Sequence, residues 1–196
     1  MKASILCATL GCLLLLAVPG HAQETPKFEK IRDLSPDKKF AARISCSSEP
    51  EDPENIDSNL ITAIDIVSLP AKEVVASLGS GEGLESFKLV WSSDSNWFAF
   101  PFSEGHRVTL TNVYNLHGNK FEALNTEELR ADVKGDVRNE YIKPLRWMKP
   151  GTLLLEQYDI FRGGNGDDAT FQFTVRFEKD GKFHVLSKKK VPTKPE

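Results

Sequence analysis

The residues best suited by type to do chemistry lie in one loop near the C-terminal end of the chain. The loop reads Arg162-Gly-Gly-Asn165-Gly-Asp167-Asp168, and its two carboxylates and one amide are oxygen ligands of the kind that Ca²⁺ prefers. The calcium-binding repeat that this run partly matches needs a large apolar residue where Thr170 stands, and it works only in tandem copies. Because a single copy gives an incomplete oxygen shell, we expect no metal and no other cofactor, and we interpret the run as a projecting hairpin loop.

No set of residues matches a known arrangement for nucleophilic or metal catalysis. The histidines after residue 22 are His106, His117 and His184, and neither a His-Glu-x-x-His nor a Gly-x-Ser-x-Gly segment occurs. Acidic residues are so plentiful that any proposed carboxylate pair is easily a chance pairing. The sequence therefore predicts a non-catalytic protein that is not an enzyme. The alternative is an extracytoplasmic hydrolase acting on glycans or peptides through paired carboxylates.

Aromatic side chains offer a way to bind a partner without catalysis. The three tryptophans could stack on sugar rings, but equivalent positions in an internal repeat are apolar and change shape, as core positions do. We therefore interpret the tryptophans mainly as core residues. The candidate binding residues are Trp97, Arg162, Asn165, Asp167 and Asp168.

A unit built around an apolar anchor, a polar turn and a second apolar residue occurs three times at nearly equal intervals. The anchor and the apolar residue six positions later are Leu34 and Phe40, then Trp91 and Trp97, then Trp147 and Leu153. Self-similarity at such a period is typical of propellers and other repeat arrays.

The turns of this unit resemble those of the WD40-like repeats of TolB-type β-propellers, the PD40 family. In that family a Ser-Pro-Asp-Gly turn precedes an apolar strand, and here the corresponding segments begin Leu34-Ser-Pro-Asp37 and Trp91-Ser-Ser-Asp94. Lys38 and Ser95 replace the glycine of the family. The resemblance implies propeller-like blades and a protein that binds proteins or peptides.

Alternating apolar residues predict four short strands in each repeat, so we expect an all-β chain of three four-stranded antiparallel propeller-like blades. One short helix is predicted between the second and third repeats, capped by Thr126 and with Leu129 and Val133 on one face. The glycines of residues 79–83 are interpreted as a linker between repeats, because a strand and not a helix follows them. Closed propellers typically have ~4–8 blades, so three blades must curl into a compact barrel or sandwich, or pair as a C2 homodimer.

Composition and termini indicate the compartment and the domain organisation. Residues 1–22 read as a cleaved signal peptide, residues 23–187 as a single β-repeat domain and residues 188–196 as a disordered tail. We therefore expect a periplasmic or secreted protein with no membrane span after cleavage. Cys46 is the only cysteine after residue 22, and we interpret it as a buried apolar residue.

The expected partner is a protein or a component of the cell envelope. The net charge of −3 gives no electrostatic reason to bind nucleic acid. Contact through the loops of residues 49–57 and 162–169 is predicted, because loops project from a β scaffold. A homodimer is a further possibility that the three-blade count raises.

Overall fold

The computed structural model describes residues 26–83, 87–163, 168–178 and 180–193. The predicted signal peptide therefore lies outside the described residues. Within them the chain forms twelve strands and one 3₁₀ turn, Ser58–Leu60, and no α-helix. The strands are β1 Phe28–Arg32, β2 Phe40–Cys46, β3 Ile61–Ser68, β4 Val74–Gly79, β5 Val90–Trp91, β6 Trp97–Ser103, β7 Val108–His117, β8 Lys120–Ala123, β9 Val137–Lys149, β10 Thr152–Phe161, β11 Asp168–Phe177 and β12 Phe183–Val191.

The strands form two sheets. β1 to β4 make a four-stranded antiparallel sheet in chain order, and the other eight strands share one mixed sheet of order β12-β11-β10-β9-β7-β6-β5 with β8 beside β7. The mixed sheet arises because β9 pairs with β10 on one side and runs parallel to β7 at Val108 and Thr109 on the other. The all-β prediction is confirmed. The chain is not a closed propeller, and its second and third repeats share a sheet instead of forming two separate blades.

The turn between β5 and β6 is held by the buried side chain of Ser92 and the exposed side chain of Asp94. Ser92 is 0% exposed; its hydroxyl donates to Asp94 Oδ1 at 2.5 Å and accepts from the Trp97 amide at 3.0 Å. Ser95 lies at the crest with φ +59°, in the left-handed region. Ser95 is 1% exposed, and its hydroxyl accepts a hydrogen bond from the amide of Asp37 at 3.1 Å, which holds the residue in a backbone conformation that L-residues rarely adopt.

The turn between β1 and β2 repeats this geometry. The Ser35 hydroxyl donates to Asp37 Oδ1 at 2.7 Å and accepts from the Phe40 amide at 3.0 Å, and Lys38 has φ +62°. In the third copy Gly151 holds the left-handed position with φ +70°, without the serine or the aspartate. The glycine of the Ser-Pro-Asp-Gly pattern therefore appears only in the copy that has lost the side-chain bonds.

Each anchor tryptophan bonds the repeat before it. The Trp91 indole N–H donates to the carbonyl of Asp33 at 2.8 Å, and the Trp147 indole N–H donates to the carbonyl of Val90 at 2.9 Å. Asp33 and Val90 each directly precede the anchor of their own repeat. The same kind of contact thus joins the first repeat to the second and the second repeat to the third.

β6 is buried on both faces because two cores meet on it. Phe98 and Phe100 pack in a first cluster with residues of the four-stranded sheet such as Ile44 and Ile64. Trp97 and Ala99 point the other way, into a second cluster with residues of β9 to β11. A strand buried on both sides reads as a continuous apolar run, as Trp-Phe-Ala-Phe does.

The eight-stranded sheet curls around the second cluster. Three strands separate β6 from β11 in the sheet, so a flat sheet would place them roughly 19 Å apart. The ring centroids of Trp97 and Phe177 are nevertheless only 6.3 Å apart. Curling into a compact barrel or sandwich is one of the two arrangements that we expected from the sequence for three repeats.

The helix predicted between the second and third repeats is not formed. Leu129 and Ala131 are both buried in the second cluster, which is the two-residue alternation of extended backbone and not a helical spacing. The Ala131 amide donates to Gln157 Oε1 at 2.7 Å, so a side chain of β10 takes the bond that a helix would have used. Residues 124–136, here named the cover segment, lie over the open side of the second core as an irregular chain.

The predicted disordered tail is ordered in part. Residues 188–191 belong to β12, which pairs with β11 from Phe177 to Thr170. The Lys188 ammonium donates to the carbonyl of Asp132 and lies 5.8 Å from the ring centroid of Phe171. These contacts and the strand pairing order a run of lysines that composition alone assigned to solvent.

Two other predictions of the sequence concern small residues. Cys46 is a free and fully buried cysteine, so the interpretation as an apolar core residue is confirmed. The linker glycine Gly83 has φ +76°, and a Cβ there would lie 2.7 Å from Phe102 Cε2. At Gly83 the connection between the first two repeats is therefore tightly packed.

We expect the Ser92→Ala substitution to lower the free energy of unfolding by about 1–3 kcal/mol, because it removes the acceptor of a buried amide and the partner of Asp94. Ser93→Ala, at an exposed position in the same turn, is the matched control and should change stability by less than about 0.5 kcal/mol. Urea unfolding followed by tryptophan fluorescence measures both. Equal effects of the two substitutions would contradict a structural role for the Ser92 hydroxyl.

Candidate functional site

The candidate binding residue Trp97 lies in the core. It is 7% exposed, and its ring packs against those of Trp147 and Phe177. Its ring is therefore covered by other rings, as the core interpretation of the tryptophans expects, and we do not retain it as a surface binding residue. Asn165 and Asp167 lie outside the described residues.

Arg162 and Asp168 are brought together at one end of β10 and β11. Arg162 Nε lies 3.4 Å from Asp136 Oδ1, and its side chain is 60% exposed. Asp168 accepts a hydrogen bond from the Tyr158 hydroxyl at 2.5 Å. Both residues line a shallow depression that Lys188 and Lys190 border. Arg162 is paired with Asp136, and Asp168 is bonded to Tyr158. These contacts join neighbouring parts of the surface, and the two side chains do not form a separate charged binding site.

A larger groove, missed by the sequence analysis, lies on the face of β9 to β11 that points away from the second core. Its volume is about 960 Å³, and we call it the tyrosine groove. It is lined by Tyr141, Lys143, Glu156, Tyr158, Ile160, Thr170, Gln172, Val191, Pro192 and Thr193.

Two stacked tyrosines form the floor of the tyrosine groove. Tyr141 and Tyr158 are direct partners across β9 and β10, with ring centroids 6.0 Å apart and planes inclined by 19°. Their hydroxyls are tied down, since Tyr141 accepts from Asn139 Nδ2 at 2.7 Å and Tyr158 donates to Asp168. The rings are therefore held in place before any ligand arrives, which lowers the entropic cost of binding.

Polar groups stand beside these rings. Gln172 Nε2 donates to Glu156 Oε2 at 3.2 Å, and the exposed Lys143 lies directly opposite Glu156 across β9 and β10. The far wall is made by the chain's own C-terminal segment, where the hydroxyls of Thr170 and Thr193 are 3.2 Å apart. A half-buried aromatic floor with a few oriented polar groups is the usual composition of a binding site.

The opposite face of β10 carries a buried acidic cluster. Asp159 is 0% exposed and accepts from Gln157 Nε2, with oxygens at 2.9 and 3.1 Å. Glu140 faces Asp159 across the strand pair, and its carboxylate lies 3.5 Å from the guanidinium of Arg130. Arg130 and Ala131 belong to the cover segment, so the cluster joins that segment to the sheet.

Burial raises the pKa of Asp159 to about 6, and the nearby negative charge of Glu140 adds to the effect. The hydrogen bond from Gln157 and the positive charge of Arg130 act in the opposite direction. Two facing carboxylates with one in an apolar setting are what the hydrolase alternative requires. Asp159, the acidic residue with the raised pKa, is 0% exposed, so its carboxyl group does not meet a substrate at the surface.

A signal for the tyrosine groove was present in the sequence. Tyr141 and Lys143 alternate with buried residues on β9, as Glu156 and Tyr158 do on β10. Alternation indicates that Tyr141 and Lys143 share one face of β9, and that Glu156 and Tyr158 share one face of β10. It does not indicate that the two strands pair with Tyr141 opposite Tyr158. That register depends on irregularities in the β9–β10 pairing, which no local pattern in the sequence specifies.

Comparison with known proteins gives no relative from which to assign a role. Neither the scan against protein-family models nor the search of curated proteins finds a match for this chain. The resemblance to PD40 repeats therefore stays a prediction from the turn residues. Within the described ranges there is no group of His, Cys, Asp and Glu side chains that could hold a metal ion, and no helix long and apolar enough to cross a membrane.

We expect Asp159→Asn to stabilise the protein at neutral pH. Because the pKa of Asp159 is raised by folding, the protonated form stabilises the fold below about pH 4, and this contribution is lost as the pH rises through about 6. The difference in free energy of unfolding between the variant and the parent should grow by about 2–3 kcal/mol from pH 4 to pH 7. Urea titrations across that range measure it.

Asp136→Asn is the control for this experiment, because Asp136 is an exposed acid of the same cover segment. The pH-dependent change should be larger for Asp159→Asn, because Asp159 is fully buried whereas the side chain of Asp136 is 73% exposed. If the stability difference of Asp159→Asn did not change with pH, the buried position of the Asp159 carboxyl would be contradicted.

Proposed function

We propose that this protein is a non-catalytic binding module that recognises a partner protein through the tyrosine groove. The observation that carries the proposal is the pair of fixed, stacked tyrosines on a solvent-facing sheet surface, with Gln172, Glu156 and Lys143 beside them. Rigid tyrosines supply large contact area at little entropic cost, and they are enriched at protein interfaces for that reason.

The residues of the tyrosine groove favour binding over hydrolysis. Glu156 is the one carboxylate among the described residues that line it, and the nearby carboxylate of Asp168 is bonded to the Tyr158 hydroxyl, whereas hydrolysis needs a pair of carboxylates facing the substrate. Glu156 also accepts a bond from Gln172, which suits a fixed polar contact. The facing pair of Asp159 and Glu140 lies on the other side of the sheet, under the cover segment.

The partner is proposed to be a different protein and not a second copy completing a propeller ring. Each junction between repeats uses an indole N–H from the following anchor, and the first anchor is Leu34, which has no such donor. A second copy could therefore not extend the array with the same contact. We propose that binding occurs outside the cytoplasm, in the periplasm or after secretion, because residues 1–22 have the composition of a signal peptide.

A combined peptide and glycan array probed with the labelled protein tests this function. We expect binding to a subset of peptides, and a loss of about tenfold or more in affinity for Lys143→Ala and for Gln172→Ala. Lys120→Ala on β8 is the matched control, because it removes an exposed lysine that does not line the groove. Its affinity should be unchanged.

Three results would contradict the proposal. The first is cleavage of an array peptide or glycan by the protein. The second is peptide binding that Lys143→Ala and Gln172→Ala leave unchanged, and the third is binding to glycans alone. Mass spectrometry of the array features after incubation distinguishes cleavage from binding.

A further inference from the structure

The tyrosine groove is in contact with an extended segment of its own chain. β12 pairs with β11 as far as Val191, which lies opposite Thr170. Pro192 follows, and a proline has no N–H with which to continue the ladder, so the strand pairing ends there. Pro192 and Thr193 then line the groove, and the Thr193 hydroxyl bonds that of Thr170 at 3.2 Å.

We infer that the ligand of the tyrosine groove is an extended, proline-containing peptide, and that Val191-Pro192-Thr193 is a built-in competitor for it. This inference rests on the proposed binding function. It adds the chemistry of the recognised segment, namely an apolar residue, a proline and a hydroxyl residue in sequence.

The lining of the groove fits such a peptide. Tyr141, Tyr158 and Ile160 give an apolar floor on which a proline ring can pack, and proline-containing segments dock on aromatic grooves in this way. A proline segment is already extended when free, so it loses little conformational entropy on binding. The Thr170 hydroxyl bonds Thr193 in this structure. It would bond in the same way a hydroxyl residue that follows the proline of a ligand peptide.

The chain's own segment is weakly held beyond the strand. Pairing with β11 ends at Val191, and past that point the hydrogen bond from Thr170 to Thr193 is the one found among the described residues. A segment tethered at one end competes at a high effective concentration, so a free peptide of the same sequence binds with reduced affinity and gains affinity when the segment loses a contact. Loss of the single hydroxyl contact should therefore favour an external peptide.

The test uses a fluorescent peptide of sequence Lys-Val-Pro-Thr-Lys-Pro, copied from residues 190–195, with its affinity for the full chain measured by anisotropy. Thr193→Val keeps the shape of the side chain and removes the hydroxyl, and should tighten peptide binding by about two- to tenfold. Thr170→Val removes the contact for both competitors and should not tighten it. Replacing the first proline of the peptide by alanine should weaken its binding by about fivefold or more.

The inference is overturned if Thr193→Val binds the peptide no better than the parent, or if the alanine peptide binds as well as the proline peptide. It is also overturned if no binding occurs at peptide concentrations up to about 1 mM. The proposed function fails separately, when array binding does not depend on Lys143 or Gln172. Array binding that does depend on them, with no binding of the proline peptide, leaves the binding function standing and removes the inference about its ligand.

Discussion

The architecture depends on a single kind of contact, the indole N–H of an anchor tryptophan bonded to the backbone of the preceding repeat. Trp91 reaches the carbonyl of Asp33, and Trp147 reaches that of Val90. A tryptophan at such a position does two things, because its ring packs against a core while its N–H bonds a backbone carbonyl of the preceding repeat. The same geometry at two junctions explains why the chain repeats its turns and its anchors together.

This contact defines how neighbouring repeats meet, but not how the strands of different repeats pair. The first repeat keeps a sheet of its own, whereas β9 of the third repeat joins β7 of the second. That parallel pairing allows the sheet to curl around the second core, with the cover segment over its open side. The face of β9 to β11 that carries the tyrosine groove is consequently the outside of the curl, where it meets solvent and the C-terminal end of β12.

The sequence was sufficient for the features that depend on local chemistry. Strand positions, the two serine–aspartate turns and the burial of Cys46 and Trp97 follow from alternation, turn residues and apolar anchors. It failed where a distant part of the chain supplies the missing partner. Leu129 and Val133 suggested a helical face, but Gln157 of β10 takes the backbone bond of Ala131. The lysines of residues 188–190 suggested disorder, but they belong to β12, which pairs with the edge of β11. The groove itself requires the cross-strand meeting of Tyr141 and Tyr158, which long-range register decides.

The double burial of β6 has a consequence for how the molecule can be divided. In a linear repeat array a terminal repeat can be removed, because each unit contacts only its neighbours and keeps a core of its own. Here Phe98 and Phe100 would be exposed to water if the first repeat were absent, while Trp97 and Ala99, one residue away on the same strand, hold the second core. Loss of either core therefore disturbs the other through one backbone segment. The three repeats should fold and unfold as a single cooperative unit, so the boundaries between repeats are not places at which the domain can be cut.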